Sequence, residues 1–358
     1  MKKRTWTLLF VALTLVLTAC AAGGPADGAE QGQPFFIRGE GGQLAQLNGS
    51  LYWLDNVHGR LYCLEEDGKT VVLAAENELF KTRSWSCLTG YGQRLYASDM
   101  TSDIGIAAID PATGDVETLI QPKSLFPYFT IDQDGTLYLA RNLDNSRESE
   151  NQGAQLLAYD LNDLQAEPRT VYERLGEGCM LDYPNLVGGG LVLSEWTEGG
   201  VNVLRIQLPG GEASTLVEGS AHYGGSPAVG ASGCLAVQRE EDKSYSLRLL
   251  DEAGKLVREW TGFDHAPMAS YAAGLYLIDE AYRPAGWERP ETRELWAVDE
   301  AGQELQGRLS LPGEASRCLG TDGERLYFLA QESDPSQGLY AASVEDFGQA
   351  GSLQRLGA

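Results

Sequence analysis

The sequence predicts an all-β chain folded as a β-propeller, most simply of seven four-stranded blades, and three observations carry that expectation. The first is the stretch 44–75, LAQLNGSLYWLDNVHGRLYCLEEDGKTVVLAA, which reads as a four-stranded meander. A first strand stops at Asn48-Gly49, a second (Leu51 to Leu54) at Asp55-Asn56, a third (Arg60 to Leu64) at Glu66-Asp67-Gly68, and a fourth follows. Asn-Gly and Asp-Gly supply the positive φ of tight hairpin turns, and the runs between them are rich in β-branched and aromatic residues. The second is repetition: Leu51, Leu95, Leu137, Leu191, Leu235, Leu275 and Leu326 each follow a Gly-containing turn, at spacings of 44, 42, 54, 44, 40 and 51 residues. A period near forty with four short strands is that of a propeller blade. The third is that no helical period interrupts the copies, so every repeat must bury its apolar residues against its neighbours.

The downstream halves agree. Ile106–Asp110, Leu156–Asp160, Val203–Ile206, Leu247–Asp251, Leu295–Asp299 and Leu339–Ala342 read as third strands, most of them ending in an acidic turn. Six or eight blades are the neighbouring counts; a sandwich would not hold one register over seven copies, and a solenoid would show a shorter period. Phe35-Phe36-Ile37-Arg38 is expected to pair with the last blade and close the ring, since an unpaired blade would leave an exposed edge.

Ahead of the repeats lie a basic start (Lys2, Lys3, Arg4), an apolar run from Trp6 to Val16, and Leu17-Thr18-Ala19-Cys20. This is a secretory signal, too short to span as a stable transmembrane helix. Leu-Thr-Ala-Cys resembles the bacterial lipobox, which implies cleavage before Cys20 and lipidation of that residue. The expected organisation is therefore a lipoprotein signal peptide over 1–19, a flexible tether over 20–34 and a single propeller over 35–358. It places the protein as a monomer on the outer side of a bacterial cell membrane, held through the acyl chains on Cys20.

Two local likenesses accompany the blades. Leu51-Tyr52-Trp53-Leu54-Asp55 with Arg60-Leu61-Tyr62 resembles the YWTD-type propeller repeat, and Asp110-Pro111-Ala112-Thr113-Gly114 resembles the turn of YVTN-type and quinoprotein-like propellers. Both imply the fold and neither implies an activity, because one scaffold hosts many functions.

Formal charge is −24, and loss of Lys2, Lys3 and Arg4 leaves 24 basic against 51 acidic residues, or about −27. Such a surface repels phosphate backbones, which argues against nucleic acid as a partner. Beyond Cys20, the five cysteines Cys63, Cys87, Cys179, Cys234 and Cys318 are widely and irregularly spaced, with no C-x-x-C. They are expected to be mostly buried small apolar residues, and no zinc site or other cofactor is implied.

In a meander blade the chain enters the innermost strand from one face, so the connections between blades and the loops joining strands two and three share that face. Aligning the copies on the repeated Leu places Trp85, Tyr128, Tyr183, His222, Tyr223, His265 and Arg317 near the starts of innermost strands, around one mouth of the channel. The insertions 142–154 and 280–293, the second carrying Trp287, fall on the same face, as does the stretch 196–200. Aromatic rings with Arg and carboxylates suit a sugar ring or a peptide, and loops on a rigid scaffold gather binding residues. Asn56–Gly59 is expected to be the shortest loop there. Asp264-His265 are neighbours in sequence, which does not orient a ring nitrogen.

No catalytic residue is identified: there is no G-x-S-x-G and no zincin His pair. Asp132-Gln133-Asp134-Gly135 resembles the start of a calcium loop but lacks its further ligands and is expected to be a hairpin turn. The acidic pairs Glu65-Glu66 and Glu240-Glu241 are expected in turns on the opposite face or the rim. The functional expectation is a non-catalytic binding or scaffold protein for an envelope protein, peptide or glycan at the mouth. The alternative is a carbohydrate-active enzyme, a glycosidase or lyase, using carboxylates at that mouth.

Overall fold

Every blade carries apolar side chains on both of its faces, and this decides how the chain must assemble. In the strand Ser50–Asp55, Leu51 and Trp53 point to one side and Leu54 to the other, as the two-residue period of a strand requires, and all three are buried. A blade so made needs a neighbour on each side, and a closed ring gives every blade two. The computed structural model describes residues 44–356, apart from 56–57, 66, 83–84, 100–104, 122–124, 144–152, 177, 198–199, 221–226, 282–289, 314 and 331–338. It is a seven-bladed propeller of four-stranded antiparallel blades, spanning 44–76, 85–120, 125–175, 180–220, 228–263, 268–312 and 315–356.

All seven repeated leucines fall in second strands, where Leu51 faces Leu64, Leu95 faces Ile109, Leu137 faces Tyr159 and Leu191 faces Ile206 on the third strands. Second strands are buried almost throughout, as in Leu275–Asp279, whereas outermost strands such as Leu256–Phe263 alternate between exposed and half-buried positions. Among the described residues one helix, Glu78–Thr82, departs from the all-strand expectation, joining blade one to blade two. Its Phe80 is fully buried beside Trp85, which explains a helix in a stretch without helical period.

Blade five has an innermost strand of only two residues, Ala228–Val229. The edge of its second strand left open at the mouth end is taken by Ser220 of blade four, which pairs with Gln238 and joins the two blades into one sheet. The Gln238 side-chain amide adds a bond to the Gly219 carbonyl at 3.0 Å.

Apolar clusters fill each seam in turn, including the last, where Leu44, Leu51, Trp53, Tyr62 and Leu64 of blade one meet Leu319, Tyr327, Leu339, Ala341 and Leu356 of blade seven. The described blades are each built of consecutive strands, so among the described residues this seam is closed by side chains. The expected pairing of Phe35–Arg38 with the last blade lies outside them.

On the face away from the loops, polar side chains lock the seams by one repeated device. A donor on one blade reaches a carbonyl in the turn between strands three and four of the next. Arg169 reaches Pro209 at 2.9 Å, Arg205 reaches Glu252 at 2.6 Å, and Arg258 reaches Gly302 at 2.6 Å, while Asn77, in the connection that leaves blade one, reaches the Gly114 turn of blade two at 2.8 Å. Arg325 does the same at the closing seam, reaching Gly68 at 2.6 Å. The acidic turns seen in the sequence are the receivers. Asp67 accepts the backbone N–H groups of Lys69 and Thr70, Asp251 those of Ala253 and Lys255, and Asp299 that of Gln303. Side chains of this kind hold a turn by bonding its backbone two to four residues on.

At the closing seam the Arg325 guanidinium lies flat on Gly68, whose φ is +63°, and a Cβ there would come within 2.0 Å of it. Asp322 holds Arg325 through Nε at 3.1 Å and Nη2 at 2.9 Å, and the Tyr327 hydroxyl donates to the same carboxylate at 2.6 Å. Burial works against the charge on Asp322. Bonds from Tyr327 and from the Arg325 and Glu324 amides outweigh it, so the carboxyl sits below its ordinary range. Cys63, Cys87, Cys179, Cys234 and Cys318 are all buried, and desolvation pushes the thiols of Cys234 and Cys318 up to about 12.

Two outcomes follow from this closure. Trp53→Ala, emptying a fully buried site at the last seam, should cost about 3–5 kcal/mol, whereas Leu73→Ala on an exposed outer position should stay within about 0.5 kcal/mol; urea unfolding midpoints measure both. Because the folded carboxyl of Asp322 is lowered, its contribution is complete above about pH 4 and is lost as pH falls through the folded value. The stability gap between the native chain and Asp322→Asn should therefore narrow in unfolding curves taken at successively lower pH below that point.

Candidate functional site

The face that receives the loops between strands two and three and the connections between blades is built from the ends of second strands and the starts of first strands. Trp85 opens the innermost strand Trp85–Tyr91 and is buried between blades one and two against Ala45, Leu54, Phe80 and Leu95. Its ring N–H donates to the Leu79 carbonyl at 3.2 Å. Tyr128 and Tyr183, on the innermost strands of blades three and four, meet across that seam with centroids 4.3 Å apart, and both are buried. Tyr183 stands at a φ of 57° inside a bulge between Asp182 and Asn185, as Cys87 does at 55° between Ser86 and Thr89. These bulges turn the strand where it enters the blade.

His265 lies exposed in the connection between blades five and six. Arg317 belongs to the strand Ala315–Thr321, but its side chain lies outside the described residues, as do His222, Tyr223, Trp287 and Cys20. The structure thus brings Tyr128 and Tyr183 together as packing partners, puts Trp85 two seams away between blades one and two, and leaves His265 at the surface.

What the sequence reading missed is a register of buried carboxylates. Four residues after the repeated Leu stand Asp55, Asp99, Glu195 and Asp279, in four of the seven blades, each at or near the mouth end of a second strand and no more than 2% exposed. The signal was present as an acidic residue at a fixed offset from an apolar repeat.

Each of three has donors in hand. Asp55 accepts the backbone N–H of His58 at 3.1 Å and its Nδ1 at 2.6 Å, tying down the loop to strand three. Asp279 accepts the Ala281 N–H at 3.1 Å and Arg293 Nη1 at 2.6 Å, an ion pair with both side chains 2% exposed. Arg293 reaches on to the Ala315 carbonyl and so bridges blade six to blade seven. Glu195 accepts from the Tyr172 hydroxyl at 2.9 Å and Arg174 Nη1 at 2.8 Å on the outer strand of blade three, and from Asn202 at 3.3 Å. Next to the same position in blade three, Asn142 accepts the Leu181 N–H at 2.7 Å and donates to its carbonyl at 3.1 Å, clamping blade four. Asp182 accepts the Trp196 ring N–H at 2.5 Å. Buried charges need such partners, because desolvation is costly without them.

Two loop expectations change. Glu240-Glu241 stand between strands two and three of blade five, hence on the mouth face and not opposite it; Glu240 accepts from Ser246 at 2.5 Å and Arg248 at 3.2 Å. The shortest link here joins Thr197 to Gly200, which pair directly, rather than Asn56–Gly59; Trp196 and Thr197 belong to the strand. On the far face, Asp132 is spent on its own hairpin, accepting the Asp134 and Thr136 N–H groups and, at 3.2 Å, the Tyr138 hydroxyl. Among the described residues no three His, Cys, Asp or Glu side chains gather as a metal site.

No protein-family model matches the chain, and no curated protein matches it in sequence. Solved structures do resemble it. A structure from a study of two prolyl endopeptidases has 14% identity and a TM-score of 0.62, covering 99% of this chain and 55% of that one. A chain of the mitotic checkpoint complex has 12% identity and a TM-score of 0.52, covering 84% and 87%. The computationally designed protein Ika8 has 12% identity and a TM-score of 0.51, covering 87% and 98%. At such identities the likeness is one of fold. This chain spans just over half the length of the prolyl endopeptidase chain.

Removing one partner of a buried pair isolates the other, so Arg293→Ala should cost about 3–5 kcal/mol. Asn142→Ala, which strands the backbone of Leu181, should cost about 1–3 kcal/mol. Guanidinium unfolding midpoints check both.

Proposed function

We propose that this chain is a lipid-anchored, extracytoplasmic propeller that binds an envelope protein, peptide or glycan without catalysis, through the loops of its mouth face. The observation that carries the reading is the commitment of the buried carboxylates there. Asp55, Asp279 and Glu195 are each engaged by loop or inter-blade donors, which makes them fasteners of a rigid rim rather than acids or bases facing a substrate. General acid–base chemistry needs a carboxyl within reach of the bond it cleaves, and these are no more than 2% exposed. A rim pinned in this way presents its loops with little ordering cost on binding, which favours recognition. In this reading Trp85, Tyr128 and Tyr183 stiffen the wall under the rim, and His58, His265 and the insertions 142–154 and 280–293 supply the contacts. Support for the anchor is the run Leu17-Thr18-Ala19-Cys20 behind an apolar segment and a basic start.

Cells expressing Cys20→Ala should release the protein from the membrane into soluble fractions; retention equal to that of the native chain would sink the anchor. For the binding face, envelope proteins and glycans captured by the native chain should be lost with His265→Ala combined with replacement of 282–289 by a Gly-Ser linker, at unchanged melting temperature. Turnover of a captured glycan, read as new reducing ends, would replace the binding reading with the enzymatic one.

A further inference from the structure

The face opposite the mouth holds a cavity of about 230 Å³ at the seam where blade seven meets blade one. We propose that it binds a neutral polyhydroxylated ligand of about monosaccharide size, independently of what the mouth face does.

Its size sets the first limit, since pockets for drug-sized ligands run from about 300 Å³ upward. The lining is polar: Lys69 and Gly68 from the turn of blade one, and Ser343, Asp346, Ser352 and Gln354 from the outer half of blade seven are among it. Charge sets the second limit. Arg325 also lines the cavity, but its guanidinium is already bound by Asp322 and the Gly68 carbonyl. That leaves Lys69 and Asp346, one of each sign, so an anion or a cation finds no net attraction. A hydroxyl both donates and accepts, and suits the pair together.

A third observation points the same way. The Gln354 amide and the Ser343 hydroxyl in the lining can each donate and accept, as the hydroxyls of a polyol do. The walls are also preformed: successive turns, Phe347 N–H to Val344, Gln349 to Asp346 and Ser352 to Gln349, hold the segment between the last two strands of blade seven. A ligand there would touch the first and the last blade at once. With few apolar contacts, the dissociation constant falls in the millimolar range.

The test is saturation-transfer NMR on the full folded chain with glucose and myo-inositol, against acetate and inorganic phosphate. The expected result is a saturable polyol signal, weakened at least about tenfold by Ala350→Phe, which fills the cavity, and several-fold by Gln354→Leu, which removes the amide and keeps a side chain of similar size. The proposal is overturned if no polyol gives a saturable signal, or if the signal survives both substitutions in variants whose melting curves match the native chain. It is equally overturned if acetate or phosphate binds more tightly than the polyols and is released by Lys69→Ala, since the ligand class would then be anionic.

Discussion

Double-sided burial is the constraint from which the rest of this molecule follows. A sheet with one apolar face can rest on a helix layer and expose the other, but these blades are apolar on both, so each is incomplete without two neighbours. The ring satisfies every blade, including the first and last, whose shared cluster of Leu44, Trp53, Tyr62, Leu319 and Tyr327 is as well buried as any other seam. Polar side chains then refine what the apolar ones assemble. Arginine latches set seams on one face, while buried carboxylates and an amide set them on the other.

The two faces are thereby given different characters. On the far face, turns capped by their own aspartates are pulled inward by the neighbouring blade. On the mouth face longer connections ride on a rim whose anchors are buried ion pairs and clamps. Much of the acidic surplus has a local task in this scheme, since aspartates that cap turns are spread around the ring and act as receivers of backbone N–H groups. A net charge of −24 is compatible with a tight fold because it is dispersed through such turns.

How far the sequence spoke for itself depends on what each signal measures. The repeated leucines marked second strands in all seven blades, and the third strands fell where the acidic turns implied, because both follow from strand length and turn chemistry. The direction of side chains was not readable. Trp85, Tyr128 and Tyr183 do stand near the starts of innermost strands, but alternation says which residues share a face only when one face is solvated, and here both are buried. The carboxylates at the fourth position after the repeated Leu escaped notice for a related reason: an Asp at a strand end reads as turn punctuation, and its burial depends on a neighbouring blade. Arg293 and Asn142 were invisible likewise, since their partners lie on the next blade. The helix Glu78–Thr82 was too short to leave a period.

The buried cysteines carry a consequence of their own. All five sit inside the packed ring, and at Cys234 and Cys318 desolvation keeps the sulfur in its unreactive thiol form. The thiolate is the form that alkylating and oxidising reagents attack, so both sulfurs should resist labelling while the ring is closed, and their reactivity becomes a reporter of when two neighbouring blades part.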